Sequence, residues 1–237
     1  MKKIKFSDII IFEDDDFVLV NKPAHVSTLA DRNDKTNISD MAKEYTDDAQ
    51  VCHRLDKDTS GVLAIAKNPE AYRHLSIQFE RREVKKEYHA VVDGIHQFQN
   101  TVVNEPLVTK GNGQVKINKS DGKESITSFD TAKAYRKHSL ISCKPVTGRM
   151  HQIRAHLSHL GAPITGDVLY GGKMFYLSSL KKNYRLKKWT DEQPLISRFA
   201  LHAHALEFAL MNGETTKIEA SYPKDMRVLV SQLEKNV

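Results

Sequence analysis

The sequence predicts an α+β fold with a mixed, largely antiparallel sheet flanked by helices and loops. Three observations carry this expectation. Strand-like and helix-like segments are intermixed without the regular strand–helix–strand alternation of a doubly wound parallel sheet. The segment Val62 to Ala66 is a continuous apolar run of strand length, the pattern of a strand covered on both faces. Finally, the turn clusters Gly111-Asn112-Gly113 and Ser120-Asp121-Gly122 cut the middle of the chain into short alternating segments.

Taken in order, Ile9 to Phe12 and Phe17 to Val20 read as short strands, the second ended by Asn21-Lys22-Pro23. Residues 27–37 are polar and read as a loop. After the Val62–Ala66 strand, Asn68-Pro69 supplies a helix cap followed by proline at the first helical position. Tyr72, Leu75 and Phe79 continue at helical spacing. A strand over 86–92 ends at Asp93-Gly94, and two more are expected around 125–135 and 138–146. Thr147 is placed to cap a helix from Arg149 to Leu160, stopped by Gly161. On that helix Met150, Ile153, Leu157 and Leu160 share one arc, with His151, Arg154 and Ser158 beside it. A strand around 199–210 and a short C-terminal helix complete the pattern.

Composition narrows the function classes. The chain has 237 residues, 40% hydrophobic and 28% charged, which is ordinary globular usage. No Pro-, Gly- or Ser-rich linker and no internal repeat divides it, so residues 1–237 read as a single domain. Its longest aliphatic run is far short of the ~20 residues of a membrane span. The N-terminus lacks a secretory h-region, and a cytoplasmic protein is expected. Two cysteines, Cys52 and Cys143, give neither a disulfide framework nor a zinc spacing. The eleven histidines form no HExxH pair, so no metal is expected. No nucleotide-binding fingerprint or serine-nucleophile elbow is present, and no cofactor is expected.

Three segments hold more polar, stereochemically special residues than packing requires. They are Cys52-His53-Arg54-Leu55-Asp56-Lys57-Asp58-Thr59-Ser60-Gly61, Lys85 to Gly94, and Pro145 to Leu157. An aspartate against an apolar strand is partly out of water, which raises its pKa, and a nearby guanidinium opposes that shift. Asp56 with Arg154 fits such a pair, and an ionised, poorly solvated carboxylate is a usable nucleophile or base. A loop aspartate can equally be a turn residue, a role that suits Asp58 within Asp58-Thr59-Ser60-Gly61.

Together the three segments resemble the RluA family of RNA pseudouridine synthases. The likeness runs through His53-Arg54-Leu55-Asp56, Asn21-Lys22-Pro23, Lys86-x-Tyr88-x-Ala90 and Thr147-Gly148-Arg149-x-His151-Gln152-Ile153-Arg154. It continues through Gly161-x-Pro163-Ile164-x-Gly166-Asp167, Tyr170-Gly171 and Leu201-His202-Ala203, in the family's order. The resemblance implies a pseudouridine synthase catalytic domain that isomerises uridine in structured RNA, ribosomal or transfer, without cofactor. It implies that Asp56 attacks the uridine so that the glycosidic bond breaks and the base rejoins through carbon. It further implies that Tyr88 packs on the target base, that Arg154, with Arg149 as the second choice, pairs with the carboxylate and that Arg54 fills the gap left by the flipped nucleotide. Leu201 corresponds to an apolar pocket wall. His53, Arg149 and His151 lie in the same motifs and are expected to contact RNA. A non-catalytic RNA-binding module on the same scaffold is the alternative. A carboxylate glycoside hydrolase is a weaker one, because it needs two flanking acids and only Asp58 is near.

The sequence departs from that family's pattern in two places. The family often has glycine soon after Lys-Pro, where this chain has Pro23-Ala24-His25. Many relatives carry an N-terminal RNA-binding module, for which no room is expected before the strand at Ile9. RNA affinity is then expected from the catalytic domain, and a monomer is expected. Lys173, Lys181, Lys182, Arg185, Lys187 and Lys188 fall in one stretch without an acidic residue, beside Phe175, Tyr176, Tyr184 and Trp189. A charge run alone reads as a solvated loop. In the context of the family, Lys181, Lys182, Lys187 and Lys188 are expected to hold phosphates while the aromatics stack bases.

Overall fold

The computed structural model describes residues 4–30, 36–111, 113–181, 184 and 189–236. In chain order the first elements are β1 (Ile10–Glu13), β2 (Phe17–Lys22), α1 (Ile38–Tyr45), β3 (Gln50–Val51), β4 (Ser60–Ala66), α2 (Pro69–Glu80) and β5 (Lys85–Asp93). Next come β6 (Thr101–Asn104), β7 (Leu107–Thr109), β8 (Val115–Ile117), β9 (Ile126–Ala134), β10 (His138–Pro145) and α3 (Gln152–His159). The last are β11 (Leu201–Ala209), β12 (Thr215–Glu219) and α4 (Lys224–Lys235). They form two compact units. One holds the chain through Tyr88 together with His202–Ser221, the other His89–Leu201 together with the segment from Tyr222.

In the first unit the apolar run of β4 is buried along its whole length. It pairs antiparallel with β2 and parallel with β11, where His202 lies opposite Ser60 and Ala203 opposite Gly61. β1, β3 and β12 add antiparallel edges, so this sheet is mixed, as expected. The two-residue period of a strand sends alternate side chains to opposite faces. Val18, Val20, Leu63 and Ile65 accordingly share a core with Ile38, Met41 and Ala42 of α1. Phe17, Leu19, Val62, Ala64 and Ala66 share another with Ala71 and Leu75 of α2. Each fully buried Val, Leu, Ile or Phe contributes about 1.5–3 kcal/mol, so β2 and β4 together are a main source of the unit's stability. Asn68 caps α2 as expected, its side chain accepting the Ala71 N–H at 2.8 Å. Helix α1, unforeseen in the sequence, is capped the same way by Asn37, which accepts from Asp40 N–H at 2.9 Å.

Gly61 is fixed by geometry. Its φ is +119°, and a Cβ there would stand 2.1 Å from the Ala203 carbonyl oxygen. Gly61→Ala is expected to cost about 3 kcal/mol or more, from a forced backbone and a parted β4–β11 pairing. Urea unfolding of the two proteins measures it; an unchanged midpoint would contradict the close approach.

In the second unit β9 and β10 form an antiparallel pair with an irregularity near Leu140 and Ile141, and β6 pairs with β9. Strand order here is β5, β10, β9, β6. β7 and β8 make a separate hairpin closed by Lys110 N–H to the Gln114 carbonyl at 2.8 Å, as the turn signal anticipated. The expected start of α3 is corrected: it begins at Gln152, not Arg149. His151 precedes it in the left-handed region, φ +52°, which no helix continues through. Thr147 is not the cap. Its hydroxyl donates to Gln152 Oε1 at 2.7 Å and accepts the Ile126 N–H at 2.9 Å. Gly161 ends the helix at φ +71°, as expected.

Candidate active site

In the first unit, the loop leading into β4 is held from beneath by buried polar groups. Lys22 is fully buried and its ammonium donates to the carbonyls of Pro23, Val26 and Lys57 at 2.8–3.0 Å. The Thr28 hydroxyl donates to the Leu55 carbonyl at 2.8 Å and accepts the Leu55 N–H at 3.2 Å. A Thr59 N–H to Asp56 carbonyl bond of 3.0 Å closes a tight turn around Asp56. The Asp58 carboxylate meets His25 Nδ1 at 2.8 Å. His25 has φ +66°, so the residue standing where relatives often have glycine does take the glycine-type conformation.

Asp56, half-buried, follows the buried Leu55. Leu55 belongs to the core against which Tyr88 packs. The Tyr88 phenol is pushed up from its ordinary value first by burial and then by the negative charge of Asp56. Tyr88 is therefore a neutral aromatic beside a carboxylate, able to offer a ring face without competing as a base. Lys86, two positions earlier and on the same strand face, is pushed down to about 8 by burial and by Arg82.

His53, expected among the RNA-contacting residues, has a structural job. Its Nε2 accepts the Ala64 N–H at 3.1 Å, and its ring lies 5.1 Å from that of Phe79. Burial, reinforced by Lys86, pushes its pKa down to about 3. A histidine held neutral when folded but titrating near 6.5 when unfolded favours the unfolded chain as pH falls. Its contribution is complete above pH 6.5 and declines progressively from there towards pH 3. At pH 5 the wild type is expected to lose about 2 kcal/mol more, relative to pH 7.5, than His53→Gln, whose amide oxygen can still accept from Ala64. Urea unfolding at the two pH values tests this, and equal losses would contradict it.

In the second unit, α3 presents Arg154, which is 6% exposed. Its Nε and Nη2 form a two-pronged pair with Asp167 at 2.7 and 2.8 Å. The guanidinium carbon stands 4.8 Å from the Tyr170 ring centre and 4.1 Å from that of Phe199. Such a planar fork with aromatic neighbours fixes a cation's orientation in a way lysine cannot reproduce. Gln152 locks the start of the helix: its Oε1 accepts from Thr147 and Arg149 N–H, and its Nε2 donates to Ile126 O and Thr127 Oγ1. His151 Nδ1 meets the Tyr170 hydroxyl at 3.0 Å. Arg149 is exposed and donates to the Glu124 carbonyl at 3.2 Å.

Arg54 is exposed. Leu201 is buried, and its carbonyl accepts from Arg198 at 3.0 Å. Lys181 is exposed, whereas Lys182, Lys187 and Lys188 lie outside the described residues. Of the aromatics expected to stack bases there, Phe175 is corrected: it is buried, edge-on to His138 at 5.0 Å. Trp189 is 92% exposed. Sequence reasoning quoted Asp167 within a motif but gave it no role, and it passed over Arg198. Among the described residues no cluster could hold a metal ion, and no helix is long and apolar enough to cross a membrane.

The family model for RNA pseudouridylate synthase matches residues 16–159, a stretch that carries both the Asp56 loop and the Arg154 helix. The chain belongs to that family. The RluA-type resemblance in the motifs is thereby established. A protein of Buchnera aphidicola subsp. Baizongia pistaciae named ribosomal large subunit pseudouridine synthase C is 37% identical over 86% of this chain and 64% of its own length. One of the same name from Yersinia pestis is 34% identical over 99% of this chain and 72% of its own. The chain thus spans just under two thirds of the first relative. The solved structure of human RNA pseudouridylate synthase domain containing 4 superposes with a TM-score of 0.74 over 96% of this chain and 94% of that one, at 23% identity, which supports the synthase fold.

Proposed function

We propose that this chain isomerises uridine to pseudouridine in RNA, with Asp56 as the essential carboxylate. The observation that carries the reading is the half-buried Tyr88 packed on the core that holds Leu55, within reach of the Asp56 charge, on a loop that matches the family's motif. A uridine inside a stem is inaccessible, so the nucleotide is flipped out at a cost of ~ a few kcal/mol. Tyr88 stacks on the extruded base and Arg54 fills the vacated place, which offsets part of that cost. Asp56 attacks the nucleotide and the N1–C1′ bond breaks. The base turns, C5 bonds to C1′ as the bond to Asp56 breaks and frees the carboxylate, and the C5 proton leaves to solvent as N1 gains one. Electrons and atoms balance without redox change, so the reaction calls for no cofactor. On this reading Arg154, steadied by Asp167, and Leu201 also serve the reaction.

The relatives' names point to large-subunit ribosomal RNA as the substrate. Mapping pseudouridine across total RNA from cells with and without the gene tests this: the expected result is loss at one or a few ribosomal positions. Loss in transfer RNA would move the substrate, and no loss anywhere would contradict the activity. The basic stretch supplies RNA affinity on the same reading. Replacing Lys181, Lys182, Lys187 and Lys188 by alanine is expected to weaken binding, with a salt slope shallower by about 0.7 for each lysine that meets a phosphate. A titration over salt concentration with an unchanged slope would return the stretch to a solvated loop.

A further inference from the structure

Tyr170 ends the short helical turn that follows Asp167, and it is 8% exposed. Its ring stands 4.8 Å from the Arg154 guanidinium carbon. Its hydroxyl accepts the Val115 N–H at 3.0 Å and meets His151 Nδ1, also at 3.0 Å. Val115 opens β8, so one side chain touches the arginine, the residue just before α3 and the β7–β8 hairpin. That hairpin rests on α3 only in part. Val115 and Leu107 pack with Ala155 and Tyr170, but an open cavity of about 310 Å³ lies beside them, lined by Gln114, Lys116, Ala155, His159, Leu169 and Tyr170. The hydroxyl ties the hairpin to the residue before the helix, beside the apolar contacts that Ile117 and Met150 add.

We infer that Tyr170 is a positioning residue with two separable duties: its ring seats Arg154, and its hydroxyl fixes the hairpin and His151 to the same point. The inference rests on Arg154 serving the isomerisation proposed above. Tyr170→Met removes the π face while filling similar space, and Tyr170→Phe removes only the hydroxyl. Three quantities separate the duties: the Arg154 Nε–H resonance, amide exchange at Val115, and single-turnover isomerisation at saturating RNA, with the RNA dissociation constant measured alongside.

Tyr170→Met is expected to shift or broaden the Arg154 Nε–H resonance and to slow the saturated turnover about a hundredfold, the scale of a group misplaced by about 1 Å. Its RNA affinity is expected to change much less. Tyr170→Phe is expected to keep the Arg154 resonance and recover about tenfold or more of that lost rate, while Val115 exchange speeds up about tenfold. If both variants only lower the melting temperature, with rate and Arg154 resonance untouched, the inference is overturned. Unchanged Val115 exchange in Tyr170→Phe also overturns it, whether or not Tyr170→Met folds. A wild type that isomerises no uridine sinks the proposed function instead. The resonance and exchange measurements would then still decide the role of Tyr170.

Discussion

Asp56→Asn is expected to abolish isomerisation while leaving the fold and RNA binding in place. The amide has the shape of the carboxylate but is neither anionic nor nucleophilic, so a fall of at least about 10⁴-fold in single-turnover rate is expected, about 5.5 kcal/mol on the barrier. Stability should change by no more than about 1 kcal/mol, because the turn uses the Asp56 backbone and the side chain is only half-buried. The same variant reports on local geometry without any substrate. The charge of Asp56 contributes to the raised pKa of Tyr88, so removing it should bring that phenol's ionisation down in an ultraviolet pH titration. Full activity in the variant would refute the catalytic role, and an unmoved phenol would refute the juxtaposition.

Asp167→Ala is expected to be the most destabilising single substitution at the Arg154 site. The pair is buried on both sides, with side chains 7% and 1% exposed, and loss of the carboxylate strands a guanidinium in the interior. Breaking a buried pair in this way costs about 3–5 kcal/mol. The double variant Arg154→Met with Asp167→Leu should recover most of that loss, since apolar replacement of a buried ion pair is often neutral or favourable. It should nevertheless remain inactive. Denaturation and single-turnover assays on the two proteins separate the contributions. A double variant that is both stable and active would show that the pair serves neither catalysis nor positioning.

The elements legible in the sequence are those whose cause is local. The β4 strand announces itself by five apolar residues in a row, and α2 by its Asn68-Pro69 start. The β12 strand and α1 were not visible. In β12 only Ile218 is apolar, and α1 is a short helix whose buried side rests on Ile38, Met41 and Ala42. The start of α3 was misplaced because its cause is tertiary. Gln152 bonds to Ile126 and Thr127 on β9, and no window around Thr147 contains those partners.

The candidate site divides in the same way. Asp56, Tyr88 and Arg154 stand in recognisable motifs, but the partner of Arg154 thirteen residues on is fixed by the turn at Gly166, where φ is +83° and a Cβ would stand 2.3 Å from the Arg198 carbonyl oxygen. Spacing alone does not reveal that approach. His53 shares the motif of Asp56, yet its nitrogen is bonded to the β4 backbone. Membership in a motif identified the neighbourhood and left each residue's duty to be read from its contacts.

The central claim is that the uridine base leaves C1′ through nitrogen and returns through carbon at the Asp56 loop. An RNA substrate labelled with tritium at uridine C5 tests it most directly. The account predicts one tritium released to solvent for each uridine converted, from an unbroken RNA chain and with no free base. Binding without tritium release, or the appearance of free uracil, would contradict it.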